Sequence, residues 1–299
     1  MVERFLNLSR GDQLEALGVV ATQSGRPAHL LEKDVWVVWA VDALFSSRFA
    51  QHLVFKGGTS LSKGYDIIKR FSEDVDVTYD VRRLLPELAA ANPLPRSNRQ
   101  ARKWSDLIKE RLPVWVKSDM VPVVEAHAVK TGVNVKITAD NDKIYIDYDP
   151  LTKNNGYVAP RVILEFGARS TGEPSEARTI SSDAAPYLTE LEFPAARPKL
   201  MLPKRTFWEK ATAAHVYCLN GDVGDRHSRH WHDLVRLDKT GYAKQALADR
   251  ALAKEIADFK SRFFRNKDRA GNQIDYNAAV SGKLRLVPDA EIIKPIEAD

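Results

Sequence analysis

Asp74 and Asp76 stand one residue apart in Phe71-Ser72-Glu73-Asp74-Val75-Asp76-Val77, shortly after the glycine pair of Phe55-Lys56-Gly57-Gly58-Thr59-Ser60-Leu61-Ser62-Lys63-Gly64. Side chains on a strand repeat every two residues, so both carboxylates would share one side of a sheet while Val75 and Val77 enter the core. Two carboxylates held that close repel each other unless a cation sits between them. The hard, oxygen-liganded cation that also binds nucleotide phosphates is Mg²⁺, which takes one or two carboxylates and fills its octahedron with water and phosphate oxygens. Gly57 and Gly58 would let a backbone turn approach a triphosphate, and Thr59, Ser60 and Ser62 would add hydroxyl donors at a helix N-terminus. Lys63, on that helix, could serve the same triphosphate. Each half alone has a blander explanation, a solvated strand edge or a plain turn; their order and spacing together describe a metal–triphosphate site.

The elements that must position these residues can be read from periodicity. Residues 30–45 are apolar at helical spacing, with Leu31, Val35, Val38 and Trp39 on one face. Residues 52–55 form a short strand into the glycine turn, 59–70 a helix with Leu61, Tyr65 and Ile68 inward, and 74–79 a second strand. Pro86 to Pro95 breaks the chain, and 105–115 resumes a basic amphipathic helix. Residues 133–138 and 143–149 alternate around Ala139-Asp140-Asn141-Asp142, which is hairpin chemistry, and 161–166 is a further strand. Glu165 interrupts that apolar strand. An ionised carboxylate is costly to bury unless it is paired or binds metal, so Glu165 is either a third acidic residue of the site or the partner of Arg161 or Arg169.

Residues 172–203 carry Pro174, Pro186, Pro194, Pro198 and Pro203 with little periodicity and are expected to form an irregular surface connection. From 204 the pattern turns helical: Trp208, Ala211, Ala214, His215 and Cys218 share one face, followed by 229–237 and an Ala-rich helix over 241–263. The expected fold is α+β: a lobe with a mixed sheet over residues 1–171, the connection, and a helical lobe over 204–299.

Composition sets wide bounds. A chain of 299 residues with 44% hydrophobic content can build a sizeable core. No apolar run approaches the ~20 residues needed to span a bilayer, and the start lacks a signal-peptide pattern, so a cytoplasmic protein without membrane contact is expected. Cys218 is the sole cysteine, which excludes an internal disulfide and a cysteine-based zinc site. Forty-five basic against forty acidic residues suit a polyanionic partner. His227, His230, His232 and Asp233 invite a zinc reading, but no general-base Glu accompanies them as in His-Glu-x-x-His.

The run Gly-Gly-Thr-Ser, an intervening helix, then Ser-Glu-Asp-x-Asp resembles the nucleotidyltransferase signature, and in its wording the AbiEii/AbiGii-type toxins, which include the MenT toxins. Leu31-Glu32-Lys33-Asp34, Leu164-Glu165-Phe166-Gly167-Ala168-Arg169, Arg205-Thr206-Phe207-Trp208-Glu209-Lys210-Ala211 and Ser228-Arg229-His230-Trp231-His232-Asp233-Leu234 extend the resemblance over about residues 30 to 240. It implies a nucleotidyltransferase (polymerase beta-like) fold and transfer of NMP from an NTP to an acceptor hydroxyl with two Mg²⁺ ions. It also implies a tRNA 3′ end as acceptor, a block of translation in a toxin–antitoxin or phage-defence setting, and a separate antitoxin protein. By the same resemblance Lys210 and Asp233 lie across the cleft from Asp74 and Asp76, and Glu165 acts near the metals as a proton acceptor.

Arg205 and Arg229 are further phosphate candidates. The stretch from Arg96 to Lys117, with Trp104 and Trp115 among its cations, could grip an RNA end by charge and stacking, or be a solvated helix with tryptophans in the core. A second basic run, Lys260 to Arg269, could contribute. Nucleotidylation of a protein or small molecule, and a regulatory module that binds NTP without turnover, remain alternatives.

Overall fold

Strict alternation over Asp74-Val75-Asp76-Val77 fixes which way the central strand faces, and the rest of the sheet follows from it. The computed structural model describes residues 2–70, 72, 74–152, 159–221, 227–290 and 293; Phe71 and Glu73 of the acidic segment lie outside them. The strands are β1 (Glu3–Arg4), β2 (Leu53–Lys56), β3 (Asp74–Tyr79), β4 (Lys136–Asp140), β5 (Lys143–Asp147), β6 (Arg161–Gly167), β7 (Ser175–Ala177), β8 (Ile180–Ser181), β9 (Leu191–Glu192), β10 (Ala195–Ala196) and β11 (Lys199–Met201). Among them β4-β5-β6-β3-β2-β11-β7 form one mixed seven-stranded sheet. The β3–β6 and β2–β11 pairs are parallel.

Register sorts the two faces. Phe55, Val77 and Phe166 pair across β2, β3 and β6, and Val75, Leu164 and Ile144 across β3, β6 and β5; all six are buried. One row between them carries only charge: Lys56 pairs with Asp76, Asp76 with Glu165, and Glu165 with Lys143. Period-2 alternation places that row on the face opposite the core.

The helices are α1 (Arg10–Ser24), α2 (Ala28–Phe45), α3 (Gly57–Lys63), α4 (Val81–Leu84), α5 (Pro86–Ala89), α6 (Asn98–Trp115), α7 (Val121–Thr131), α8 (Pro203–Asn220), α9 (Ser228–Lys239), α10 (Tyr242–Ala248), α11 (Arg250–Phe263) and α12 (Tyr276–Ala278). Side chains of α2, α6 and α7 join the apolar face of the sheet in one core, whereas α8 to α12 build a second core that also takes Leu61, Ile67 and Ile68. The fold is therefore α+β, with helices on one sheet face and a helical bundle beside the charged row.

Three expectations are corrected, and the open reading of Trp104 and Trp115 is decided. The helix after the glycine turn stops at Lys63: Gly64 follows, Asp66 takes a positive φ of 52°, and residues 64–70 run as irregular chain. Residues 172–203 contain β7 to β11, two of which extend the sheet; they are short and proline-punctuated, which hides any period. Residues 241–263 form two helices, separated at Asp249, whose side chain caps α11 by accepting from the Leu252 N–H. Trp104 and Trp115 are buried, Trp115 stacked on Tyr79 at 3.9 Å between centroids, so neither is a platform for an RNA base.

Lys63 is corrected as well. Its side chain is 7% exposed and its ammonium donates to Asp34 Oδ1 and to Asp183 Oδ1, both at 2.6 Å, while Asp34 Oδ2 accepts from the Asp183 N–H at 2.7 Å. One turn of helix carries Lys63 away from the glycine turn and into a staple between α2, α3 and the chain near residue 183. Truncating one partner of a buried pair leaves the other charge uncompensated and costs about 3 to 5 kcal/mol. Lys63→Met is therefore expected to lower unfolding free energy in denaturant titration by that order, while NTP affinity of the folded protein is unchanged. A stable variant with weakened NTP binding would return Lys63 to the triphosphate.

Candidate active site

The glycine turn and the charged row meet at the mouth of a cleft of about 880 Å³. Gly57 adopts φ 80°, and a Cβ there would overlap Asp76 Oδ2. Only glycine allows the turn to lie directly on the Asp76 carboxylate. At Gly58 a Cβ would come within 2.7 Å of Arg70 Nη2 and 2.9 Å of Ser72 Oγ, so the backbone there is bare on the side facing the guanidinium. Asp74, Asp76 and Glu165 all border the cleft.

Thr59 and Ser60 are buried beneath the turn. Thr59 Oγ1 donates to the Asp74 carbonyl at 2.6 Å and lies 2.9 Å from Ser72 Oγ, and Ser60 Oγ donates to the Gly57 carbonyl at 3.0 Å. Neither lines the cleft. Their hydroxyls brace the turn and the start of β3, a correction to the expectation that they face a nucleotide; buried hydroxyls bond to the nearest backbone acceptor rather than stay unpaired.

Across the cleft, Asp233 of α9 is fully buried and gathers three cationic or polar partners. Arg70 grips it with Nε to Oδ1 at 3.0 Å and Nη2 to Oδ2 at 2.8 Å, Lys210 of α8 reaches Oδ2 at 2.9 Å, and His232 Nδ1 lies 3.1 Å from Oδ1. Burial alone would raise the Asp233 carboxyl; the Arg70 hydrogen bonds and the Lys210 charge overcome it and hold the group well below the usual carboxylate range. Asp233 is thus a fixed anion that aims Lys210 and Arg70 along the cleft wall. Arg70 was not singled out in the sequence. Its signal was weak: an arginine just before the acidic segment, placed by a helix end that periodicity does not show.

The remaining candidates divide. Arg229 borders the cleft; Arg205 does too, but its side chain is 1% exposed and tied to the Glu173 carbonyl, to Glu255 at 3.3 Å and to Glu209 at 3.6 Å. Arg205 is therefore a strut in the wall. Glu209 would be pushed up by burial, but Lys260 at 2.8 Å and Arg205 pull its carboxyl down to about 2. Glu165 pairs with Lys143 at 2.8 Å, not with Arg161 or Arg169 as the alternative reading had it. Arg161 bonds Asp147, and Arg169 lies over the Phe264 ring. From the basic stretch on α6, Lys109 alone reaches the cleft; from the run on and after α11, Lys260 does.

Among the described residues no group of three or more His, Cys, Asp and Glu side chains is placed to enclose a metal ion. Asp74 and Asp76, on one strand face at the edge of a cleft otherwise rich in cations, instead suit an ion that keeps waters and takes its other oxygens from a phosphate. These two residues could hold Mg²⁺ together with a triphosphate.

His230 lines the cleft beside Lys210. Burial first, then the Lys210 and His227 charges, push its imidazole down to about 3, so it is neutral at physiological pH. A folded-state value below the unfolded one of about 6.5 stabilises the fold fully above pH 6.5 and progressively less as pH falls toward 3. The melting temperature is expected to fall on acidification from pH 7 to 4, and His230→Gln to flatten part of that slope. Parallel curves for the two proteins would show that His230 is not held neutral.

No curated protein matches the sequence. Solved structures do, among them MenT4, a nucleotidyltransferase toxin from Mycobacterium tuberculosis H37Rv, which is 15% identical over 98% of this chain and 94% of its own, with a TM-score of 0.43. The profile of the family described as "Nucleotidyl transferase AbiEii toxin, Type IV TA system" matches residues 39–296, a span that takes in the glycine turn, Asp74, Asp76, Glu165, Lys210 and Asp233. The chain belongs to the AbiEii nucleotidyltransferase toxin family.

Proposed function

We propose that this protein transfers a nucleoside monophosphate from an NTP to the 3′ hydroxyl of a tRNA, with Mg²⁺ as its metal. The observation that carries the reading is the placement of Asp74 and Asp76 on the cleft face of β3, with the Gly57 turn against Asp76 and a wall of cations opposite. Asp74 and Asp76 hold the metal. When bound, Mg²⁺ supplies the charge that favours ionisation of the acceptor hydroxyl and stabilises the leaving pyrophosphate. Arg70, Lys210 and Arg229 face the triphosphate, where fixed cations oppose the negative charge that moves to the leaving group. Asp233 positions the first two of these. Gly58 offers bare backbone to a phosphate beside Arg70.

The acceptor oxygen bonds to the α-phosphorus as the α–β phosphoanhydride bond breaks, and pyrophosphate departs. Glu165 sits next to Asp76 in the cross-strand row, suited to receive the acceptor proton once Lys143 is drawn aside. A tRNA extended at its 3′ end presents the wrong terminus for aminoacylation, which is how translation would stop. Membership of a toxin family implies a cognate antitoxin protein. No helix among the described residues is long and apolar enough to cross a membrane, and tRNA as acceptor places the activity in the cytoplasm.

Incubation with total RNA, Mg²⁺ and each labelled NTP in turn tests the reading. Label is expected in a tRNA-sized band, and Asp74→Asn or Asp76→Asn is expected to reduce it at least about 100-fold, the scale seen when one preorganised electrostatic group is removed. Label entering protein or a small molecule would change the acceptor, and NTP binding without pyrophosphate release would make the cleft regulatory. Near-normal labelling by either variant would contradict the metal assignment.

A further inference from the structure

A second hollow, of about 450 Å³, lies beyond the first along the same side of β3. Asp74, Asp76, Thr78 and Asp80 alternate on one side of the strand; the first three border the active cleft and Asp80 borders the second hollow. The neighbouring chain passes from one to the other in step, Ser170 in the first and Thr171 in the second. Gly172, with φ 78°, rests against Val54, where a Cβ would come within 2.8 Å of the Val54 Cβ.

Four basic residues line the second hollow: His52, Arg82, Arg83 and Lys199. Arg82 is neutralised, bonded to Asp80 at 2.7 Å and facing Glu173 at 3.6 Å. Arg83 and Lys199 are not. Lys199 donates to the Gln51 carbonyl at 2.7 Å, and among the described residues neither it nor Arg83 has a carboxylate partner. Both cations line the hollow with His52, whose imidazole is depressed by burial first and then by Arg83, against an opposing pull from Asp80. The hydroxyls of Thr171 and Ser175 complete the rim.

We propose that this hollow seats a backbone phosphate of the acceptor strand, upstream of the reacting hydroxyl, with Arg83 and Lys199 as its ligands. The inference rests on the transferase reading of the first cleft. Asp76 and Asp80 are four residues apart on or just past β3, about 13 Å at the rise of a strand, which spans roughly two nucleotides of an extended single strand. Two cations without carboxylate partners, in a hollow on the same side of β3 as the metal carboxylates, suit a phosphodiester chain better than a compact ligand. The α6 cations expected in this role, Arg99, Arg102 and Lys103, lie off the cleft.

The test compares RNA acceptors that share one 3′ end and differ in length, from a dinucleotide to a full tRNA, in the parent and in an Arg83→Glu/Lys199→Glu double variant. In the parent, KM for the acceptor is expected to fall once the strand is long enough to reach the hollow. In the double variant that gain disappears: KM for long acceptors rises about tenfold or more and the salt dependence of binding loses a slope of about 1.4, two single-strand contacts at 0.7 each, while kcat is held. Arg83→Gln/Lys199→Gln, checked by its melting curve, gives the same direction with less repulsion and guards against misfolding. An unchanged KM and salt slope in a folded variant overturns the proposal, as does a variant that keeps acceptor KM and loses only binding of a protein partner. A parent that labels no RNA of any length refutes the transferase reading instead, so the two failures are distinguishable.

Discussion

A buried carboxylate with cations from two different parts of the chain organises this molecule. Asp233 has no exposed surface, and an ionised group in that position is tolerable only because Arg70 and Lys210 both bond to it. Arg70 belongs to the chain leading into β3, Lys210 to the first helix of the bundle and Asp233 to the second. The same three-way contact thus sets how the bundle meets the sheet and where the two cations point. Together with Leu61, Ile67 and Ile68, which pack into the bundle's core, it holds the bundle across from the charged row on β2, β3, β6 and β5.

That row explains why the cleft exists. One face of the sheet is covered by α2, α6 and α7 through apolar residues from every central strand. The other face carries Lys56, Asp76, Glu165 and Lys143 side by side across four strands. The two adjacent carboxylates, Asp76 and Glu165, are flanked by Lys56 and Lys143, and no apolar helix can pack on such a row. The bundle approaches and leaves a gap. Lys143 balances Glu165, whereas Asp76 has the glycine turn pressed against it, which is where a cation with its own phosphate ligands would be most strongly held.

Much of this was legible in the sequence because the informative residues obey local rules. The alternation in Asp74-Val75-Asp76-Val77 specified β3 residue by residue, and Gly57-Gly58 specified a turn whose positive φ the structure shows. The α2 face and the hairpin around Asn141 were equally local. What stayed hidden depends on long-range partners. Lys63 looks like a phosphate ligand until Asp34 and Asp183 arrive from distant segments. Arg70 looks like a helix end until Gly64 and Asp66 break the helix and Asp233 receives it. Trp104 and Trp115 look like stacking platforms because a basic helix says nothing about which neighbours cover its aromatic side. The strands within 172–203 are two or three residues long, too short for any period, and are defined by their partners: β11 on the edge of β2, β7 on β11, β9 on β1, and β8 with β10.

The central claim is that a metal-bound triphosphate sits between the Gly57-Gly58 turn, Asp74 and Asp76 on one side and Arg70 and Lys210 on the other. Crystallography with Mn²⁺ in place of Mg²⁺ and a non-hydrolysable NTP tests it most directly, since anomalous scattering locates the metal independently of the protein. The account requires an anomalous peak liganded by Asp74 and Asp76, with phosphate oxygens within hydrogen-bonding distance of Arg70 or Lys210. A nucleotide bound elsewhere, or a metal that touches neither aspartate, would contradict it.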